Sequence, residues 1–337
     1  MKLATLKDRT RDGELVVVSR DLTRYVSARP IATTLQAALD DWEHIAPRLQ
    51  MLAEQLEVGS VPSSRFHEHD AMSPLPRAYQ RVEATAYMHH LDLMAKASGA
   101  TTPVDQSTVP VVAQGASDGF TGPRDAITGL SEDWGIDLQG EIAVITGDVP
   151  LGADHETAAA AIRLLMVGNS VTLRNLSPAE LAKGHGAVQS KPGTSFSPVA
   201  VTPDELAAAW AGARASVKLK ISINGKPLGK LQTGSDMTFD FATLIAHVAK
   251  ARPLSAGSII SSGVVSNRGA DGNPAKPLAA GGPGYATIAE ARAVETITSG
   301  APVTPYLKDG DVVRIEICDA HGHSISGAIE QTVGAIS

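Results

Sequence analysis

Three polar side chains, Asp137, Gln139 and Glu141, occupy alternate positions in the stretch IDLQGEIAVITGD, Ile136 to Asp148. In a strand they would line one face ahead of the apolar Ala143 and Ile145, while Ile136, Leu138, Ile142 and Val144 would line the other, broken only by Gly140. A carboxylate turned inward is paired with a cation, bound to a metal, or exposed after all, and Glu141 leaves all three open. The second chemical group is His89-His90 in TAYMHHLDLM. Adjacent histidines point different ways, so at most one faces a given pocket. There it would serve as a proton acceptor, and a satisfied structural histidine is the plainer reading. Tyr87 offers a hydrogen-bonding hydroxyl or simple packing.

The remaining motifs carry less. His67-Glu68-His69-Asp70 has metal-binding side chain types, but consecutive residues on an extended linker converge poorly on one ion, so a solvated loop is expected. Gly281-Gly282-Pro283-Gly284 lacks the lysine and the strand–loop–helix setting of a phosphate cradle and reads as a flexible turn. The one cysteine, Cys318, excludes an internal disulfide and a Cys-based zinc site. Its strand-like setting, VRIEICDA, predicts a buried, inert thiol.

The elements that must position these groups are β-rich. MKLATLKDRTRDGELVVVSRDLTRYVSA reads as a meander turning at Arg11-Asp12-Gly13. Helical spacing runs from Thr33 or Thr34 to Pro47 and resumes from Leu49 to Leu56. The aperiodic Glu57–Ala78 stretch places a boundary between a domain of residues 1–70 and one of residues 71–337. Ser177-Pro178-Ala179-Glu180 and Thr202-Pro203-Asp204-Glu205 predict capping boxes that start short helices. VKLKISINGKPLGKLQTG predicts a hairpin at Asn224-Gly225, FATLIAHVAKARPL a helix after Asp240, and Val312–Ile317 a late strand.

With 337 residues, the chain is long enough for one large domain with a smaller one. Its 31 glycines and 20 prolines fit a turn-rich β body. The net charge of −7 comes from interspersed residues without a basic tract, which argues against a nucleic-acid partner. No apolar run reaches membrane-spanning length and MKLATLKDR has no signal-type apolar core, so a cytoplasmic location with no membrane partner is expected.

Several ordered blocks together resemble the fumarylacetoacetate hydrolase family, particularly its bacterial members. They are LPRAYQRVEATAYMHHLDLM, WGIDLQGEIAVITGDVP, IRLLMVGNSVTLRNLSPAELAKG, QSKPGTSFSPVAVTPDEL, DMTFDFATLIAHVAKARPLSAGSIISSGVVSNR and GYATIAEARAVETI, and they span nearly the whole chain. The resemblance implies an α+β, β-rich fold: a mixed β-sandwich roll with a small N-terminal domain, assembled as a homodimer. It further implies Mg²⁺- or Ca²⁺-dependent cleavage or rearrangement of β-diketo and acylpyruvate-type acids.

In the family, four carboxylates hold the ion. Their positions fall here on Glu83, Gln139, Glu141 and Ser170, with His90 at the catalytic histidine. An amide and a hydroxyl thus replace two carboxylates, and Glu83 replaces a shorter aspartate. Hard divalent ions bind through anionic oxygens, so the family's metal is expected to be absent or loosely held. Glu290 matches the glutamate that orients the histidine, and Lys191 a lysine that stabilises developing negative charge. Arg174 matches a pocket arginine, and Val264 replaces a threonine that would contact the oxyanion. Arg174, Tyr87 and Val264 are therefore the candidate substrate-binding positions, and Lys191 and Arg174 could instead pair with Glu83 and Glu141.

The expected function is proton transfer by His90 on a 1,3-dicarbonyl or acylpyruvate-like keto acid. A water activated by that base would give C–C hydrolysis; otherwise isomerisation, decarboxylation or cyclisation follows. The alternatives are an orthodox Mg²⁺- or Ca²⁺-dependent hydrolase with a rebuilt site, or an inactive family member serving as a binding subunit. Loops Gln106 to Asp125 and Ser266 to Pro283 are expected to wall the pocket.

Overall fold

The computed structural model describes residues 1–100, 107–270 and 272–334. Gln106 and residue 271, both in expected pocket loops, lie outside the described residues. The main body is a 12-stranded sheet ordered Ser64–Arg65, Arg24–Ser27, Glu14–Val18, Lys2–Leu6, Val199–Val201, Ile162–Leu173, Gly140–Thr146, Ile259–Val264, Arg81–Thr85, Val111–Gly115. Gly193–Phe196 and Ile136–Asp137 also pair with Ile162–Leu173. Ile259–Val264 runs parallel to Arg81–Thr85 and antiparallel to Gly140–Thr146, which makes the sheet mixed. The opening meander enters this sheet through Lys2–Leu6, paired with Val199–Val201. Strands from both sides of the aperiodic Glu57–Ala78 stretch thus share one ladder.

Both faces of the sheet are covered. Ile142, Val144, Leu165 and Val167 pack with Leu219, Ile221, Ile315, Ile317 and Ile329 of a second sheet. That sheet is ordered Lys226–Gln232, Lys218–Ile223, Val312–Cys318, Ser324–Thr332. Ala143, Ile145, Leu164 and Met166 pack instead with Leu35, Leu39, Leu49 and Leu56 of the N-terminal helices. Strand alternation therefore feeds two cores, giving a fumarylacetoacetate-hydrolase-like α+β roll. Gly140 interrupts the apolar row because a Cβ there would stand 2.5 Å from Ile221 Cδ1 across the sandwich.

Local structure departs from expectation in four places. The N-terminal helical stretch breaks at Asp41, with φ −136° and ψ 46°, and Pro47 lies inside the helix Trp42–Glu57. Ile45, Leu49, Ala53 and Leu56 form a buried stripe that continues past the proline and outweighs its lost hydrogen bond. Neither capping box forms. The helix Ser177–Leu181 has no side-chain cap, and Pro203–Ala209 is a 3-10 segment kinked at Ala207 (φ 46°) instead of a helix through Trp210. Within Gly281–Gly284, Gly282 and Gly284 are tightly packed, since a Cβ on Gly282 would lie 2.1 Å from the Lys276 carbonyl and one on Gly284 2.1 Å from that of Leu228. Within the first expected pocket loop, Val111–Gly115 is an edge strand on Arg81–Thr85. The hairpin turns at Asn224 (φ 52°) and Gly225 (φ 72°), and Asp240 caps the helix Phe241–Ala249 through the Thr243 amide at 2.8 Å.

Candidate active site

Each polar residue of the buried row is met by its own cation. Arg174 Nε donates to Asp137 Oδ2 at 2.8 Å. Lys191 Nζ donates to Gln139 Oε1 at 2.7 Å. Arg81 Nη2 donates to Glu141 Oε1 at 2.9 Å. The row shares its sheet face with Ala143 and Ile145, and Arg81 and Glu83, two apart on the neighbouring Arg81–Thr85 strand, fall together on one face.

Arg81 and Lys191 tie the four expected ligand positions, Glu83, Gln139, Glu141 and Ser170, into one cluster. Arg81 Nη1 reaches Glu83 Oε1 at 2.5 Å, and its Nη2 also donates to Ser170 Oγ at 3.2 Å. Lys191 Nζ donates to Ser170 Oγ at 3.2 Å and pairs with Glu83 Oε2 at 2.9 Å. Ser170 in turn donates to Glu83 Oε1 at 3.4 Å. The guanidinium lies 5.9 Å from the Phe196 ring centroid, and Arg81 is 1% exposed. Two glycines leave room for the cluster: a Cβ on Gly115 would stand 2.8 Å from Arg81 Nη1, and one on Gly168 3.1 Å from Glu141 Cγ.

The electrostatics follow from that packing. Burial alone would raise the Glu83 carboxyl, but Lys191 and then Arg81 outweigh it and hold Glu83 at about 2. Burial opposes the charge on Arg81, yet Glu83 and Glu141 raise it above the ordinary guanidinium value. Glu141, deeper and beside a second carboxylate, is pushed up by burial despite Arg81. Burial likewise lowers Lys191 against the pull of Glu83 and Glu141.

This donor set does not fit a divalent ion. Mg²⁺ and Ca²⁺ need anionic oxygens free to approach within roughly 2.0–2.6 Å. Here both Glu83 oxygens, Glu141 Oε1, Gln139 Oε1 and Ser170 Oγ already accept from Arg81 or Lys191. An ion about 4 Å from the guanidinium would be repelled by roughly 8 kcal/mol at an effective dielectric near 20. Among the described residues, no group of three or more His, Cys, Asp or Glu side chains is placed to hold a metal.

His90 stands apart from this cluster in partners. The helix Met88–Ala97 follows the Arg81–Thr85 strand and presents His90 Nδ1 to Glu290 Oε1 at 2.9 Å. A carboxylate only accepts, so Nδ1 carries the hydrogen and Nε2 keeps its lone pair. His90 is part-exposed at 12%, whereas Glu290 is 2% exposed. His89 turns inward, 4% exposed, with neither ring nitrogen hydrogen-bonded. Glu290 is placed by Asp137, whose carboxylate accepts from the Ile288 amide at 2.8 Å, the Ala289 amide at 3.1 Å and the Thr287 hydroxyl. Asp137 thereby anchors the first turn of helix Ile288–Ser299, which carries Glu290.

The other expected site residues fall elsewhere. Arg174 does not meet Glu83 or Glu141; it is committed to Asp137 and, at 3.1 Å, to Thr287 Oγ1. Tyr87 is fully buried, donates to the Thr233 carbonyl at 2.6 Å, and is raised in pKa by burial. Val264 is buried opposite Glu141 on the adjoining strand, after a bulge at Gly263 (φ 71°). Glu180 does not cap its helix. It accepts the amides of Val188, Gln189 and Ser190 at 2.8, 2.8 and 2.9 Å, fixing the loop that ends at Lys191. Glu68 of the histidine-rich turn pairs with Arg124 and accepts the Ala328 amide at 3.3 Å. A separate cleft of about 1230 Å³ between Lys2, Arg20, Ala207 and Cys318–Ile325 contains none of the His90 or Arg81 groups. Arg81 is the residue of this cluster that sequence reasoning misses, although Arg-x-Glu on a buried strand puts both charges on one face.

Residues 1–77 match the family described as fumarylacetoacetase N-terminal domain 2, and residues 82–334 match the fumarylacetoacetate (FAA) hydrolase C-terminal family. Among solved structures, the chain is similar to a putative HpcE protein from Mycobacterium smegmatis, with 19% identity, full coverage of both chains and a TM-score of 0.68. It is similar to maleylpyruvate hydrolase from Sphingobium sp. SYK-6 in complex with manganese(II) ion and pyruvate, with 17% identity, full coverage of both and a TM-score of 0.63. A probable 2-hydroxyhepta-2,4-diene-1,7-dioate isomerase from Mycobacterium abscessus shares 18% identity, again with full coverage of both and a TM-score of 0.61. No curated protein matches the chain significantly. At these identities the structures establish a common fold. No helix among the described residues is long and apolar enough to cross a membrane. With both halves of the sequence matched and the roll present, the chain belongs to the fumarylacetoacetate hydrolase family.

Proposed function

We propose that this protein is an enzyme acting on an acylpyruvate-like or other 1,3-dicarbonyl keto acid by His90/Glu290 acid–base chemistry, without the family's divalent metal. The observation that carries the reading is the His90 Nδ1–Glu290 Oε1 contact of 2.9 Å at a part-exposed imidazole. Glu290 fixes the tautomer and the ring orientation, so His90 Nε2 can remove the acidic proton between two carbonyls and return it elsewhere on the carbon skeleton. The electron pair left behind is an enolate. Lys191 already uses three contacts, to Gln139, Ser170 and Glu83, so it meets an anion as a buried charge or by releasing its longer contact to Ser170. The donor set occupied by Arg81 and Lys191 supports the metal-independent part of the proposal. Similar folds named for a hydrolase and an isomerase support both hydrolysis and isomerisation as outcomes. On the family resemblance we extend the reading to a cytoplasmic homodimer with a small-molecule keto acid as its partner.

The test is ¹H NMR of an acylpyruvate in D₂O with metal-free protein. Exchange of the C3 proton, or turnover, is expected and should vanish in His90→Ala. Failure of the wild-type protein to do either would replace this reading with a binding subunit. The saturated cluster favours that second reading, because every family ligand position already has an internal partner.

A further inference from the structure

We propose that Arg81 is a built-in replacement for the divalent cation, a fixed positive charge from the chain itself that holds the family's ligand positions together and refuses Mg²⁺, Ca²⁺ and Mn²⁺. This deepens the metal-independent part of the function above and does not depend on what His90 does. The forked guanidinium has the right shape to bridge the two carboxylates. One nitrogen takes Glu83 at 2.5 Å while the other takes Glu141 at 2.9 Å and Ser170 at 3.2 Å. Lys191 closes the remaining side through Glu83, Gln139 and Ser170. The surroundings of Arg81 are shaped to seat it. Gly115 and Gly168 clear space for it and Glu141, and its Cζ sits over the Phe196 ring. Its Nε is buried without a hydrogen-bond partner, so the side chain is satisfied only at the end that faces the carboxylates.

A consequence separates this role from a mere shortage of carboxylates. Restoring acidic ligands by Gln139→Glu and Ser170→Asp should not restore ion binding while Arg81 remains. Adding Arg81→Met to those two changes should create a site. The experiment is Mn²⁺ titration of the full chain, read by electron paramagnetic resonance, with thermal melting in rising Mn²⁺ or Ca²⁺. Wild type and Gln139→Glu/Ser170→Asp should bind no stoichiometric Mn²⁺ and show no ion-dependent melting shift. The triple variant should bind one equivalent, and its melting temperature should climb with ion concentration. Stoichiometric Mn²⁺ on the wild type or on the double variant would overturn the proposal, as would a folded triple variant indifferent to ions. Should the triple variant fail to fold alone, its recovery on refolding with Ca²⁺ supports the proposal and its absence overturns it. These readouts are independent of turnover, so loss of the His90 chemistry would leave the Arg81 result standing.

Discussion

The guanidinium of Arg81 lies 2.9 Å from the Glu141 carboxylate, both residues 1% exposed, within the cluster of Glu83, Gln139, Glu141 and Ser170. Taking two charges out of water is costly, and the pair persists only because both are hydrogen-bonded as well as paired. Removing one partner should therefore do more harm than removing both.

Glu141→Gln keeps an oxygen for Arg81 but removes the charge, and a stability loss of about 1–3 kcal/mol is expected. Arg81→Met leaves Glu83 and Glu141 with Lys191 alone and should cost about 3–5 kcal/mol. Combining the two should cost less than their sum, because the second change removes a charge already stranded by the first. Urea denaturation of the three variants measures this coupling, and strict additivity would show that the two groups do not interact.

His89 gives a pH dependence of known sign. Burial holds it below the ordinary histidine value, beyond what nearby Glu290 offsets, and neither ring nitrogen has a hydrogen-bond partner. The unfolded chain then binds the proton more readily, so folding stability should fall as pH drops below about 6.5. His89→Leu should remove that part of the fall while leaving stability near pH 8 little changed. Thermal melts of both proteins from pH 8 down to about 5 test it; parallel curves below about 6.5 would contradict the assignment.

Much of this arrangement is legible in the sequence. The alternation around Asp137, Gln139 and Glu141 identifies a polar row on a buried face, and the ordered blocks identify the roll. The partners are not legible, because they arrive from far along the chain: Arg81 is 60 residues from Glu141, Lys191 52 from Gln139, and Arg174 37 from Asp137. Sheet register, fixed by the two cores, decides which cation meets which acceptor. Arg174 departs from its expected pocket position for the same reason, since the role of Asp137 at a distant helix end has no local signature. Glu180 satisfies the capping-box pattern, yet three loop amides outcompete one helix end for its carboxylate.

Glu180 leads to a prediction about Lys191. Hydrogen bonds from Ser190, Gln189 and Val188 hold the Glu180 carboxyl at about 2. A carboxyl lowered on folding stabilises the protein above its unfolded value near 4.5, and that contribution disappears as pH falls toward 2. Glu83, also at about 2, acts in the same window. Glu180→Gln should loosen residues 188–190, flatten the acid limb in part, and lower turnover through Lys191 without touching substrate. Amide hydrogen exchange across the loop, with melts from pH 5 to 2, checks this; unchanged exchange would leave Glu180 a surface residue.

Asp137 should be the residue through which the buried row reaches the histidine. Its carboxylate takes the Ile288 and Ala289 amides at 2.8 and 3.1 Å, and Glu290 is the next residue in that turn. Its other partner, Arg174 at 2.8 Å and half-buried, would be left without its counter-charge if the carboxylate were removed. Asp137→Ala is therefore expected to cost about 3–5 kcal/mol and to lower kcat by displacing Glu290 from His90. Asp137→Asn can still accept an amide, so it should recover part of the stability while Arg174 keeps a neutral partner. Arg174→Met should destabilise without a selective rise in KM, because its donors already serve Asp137 and Thr287. Steady-state kinetics beside chemical denaturation distinguish the two roles: a large KM effect of Arg174→Met at unchanged stability would return that arginine to the substrate.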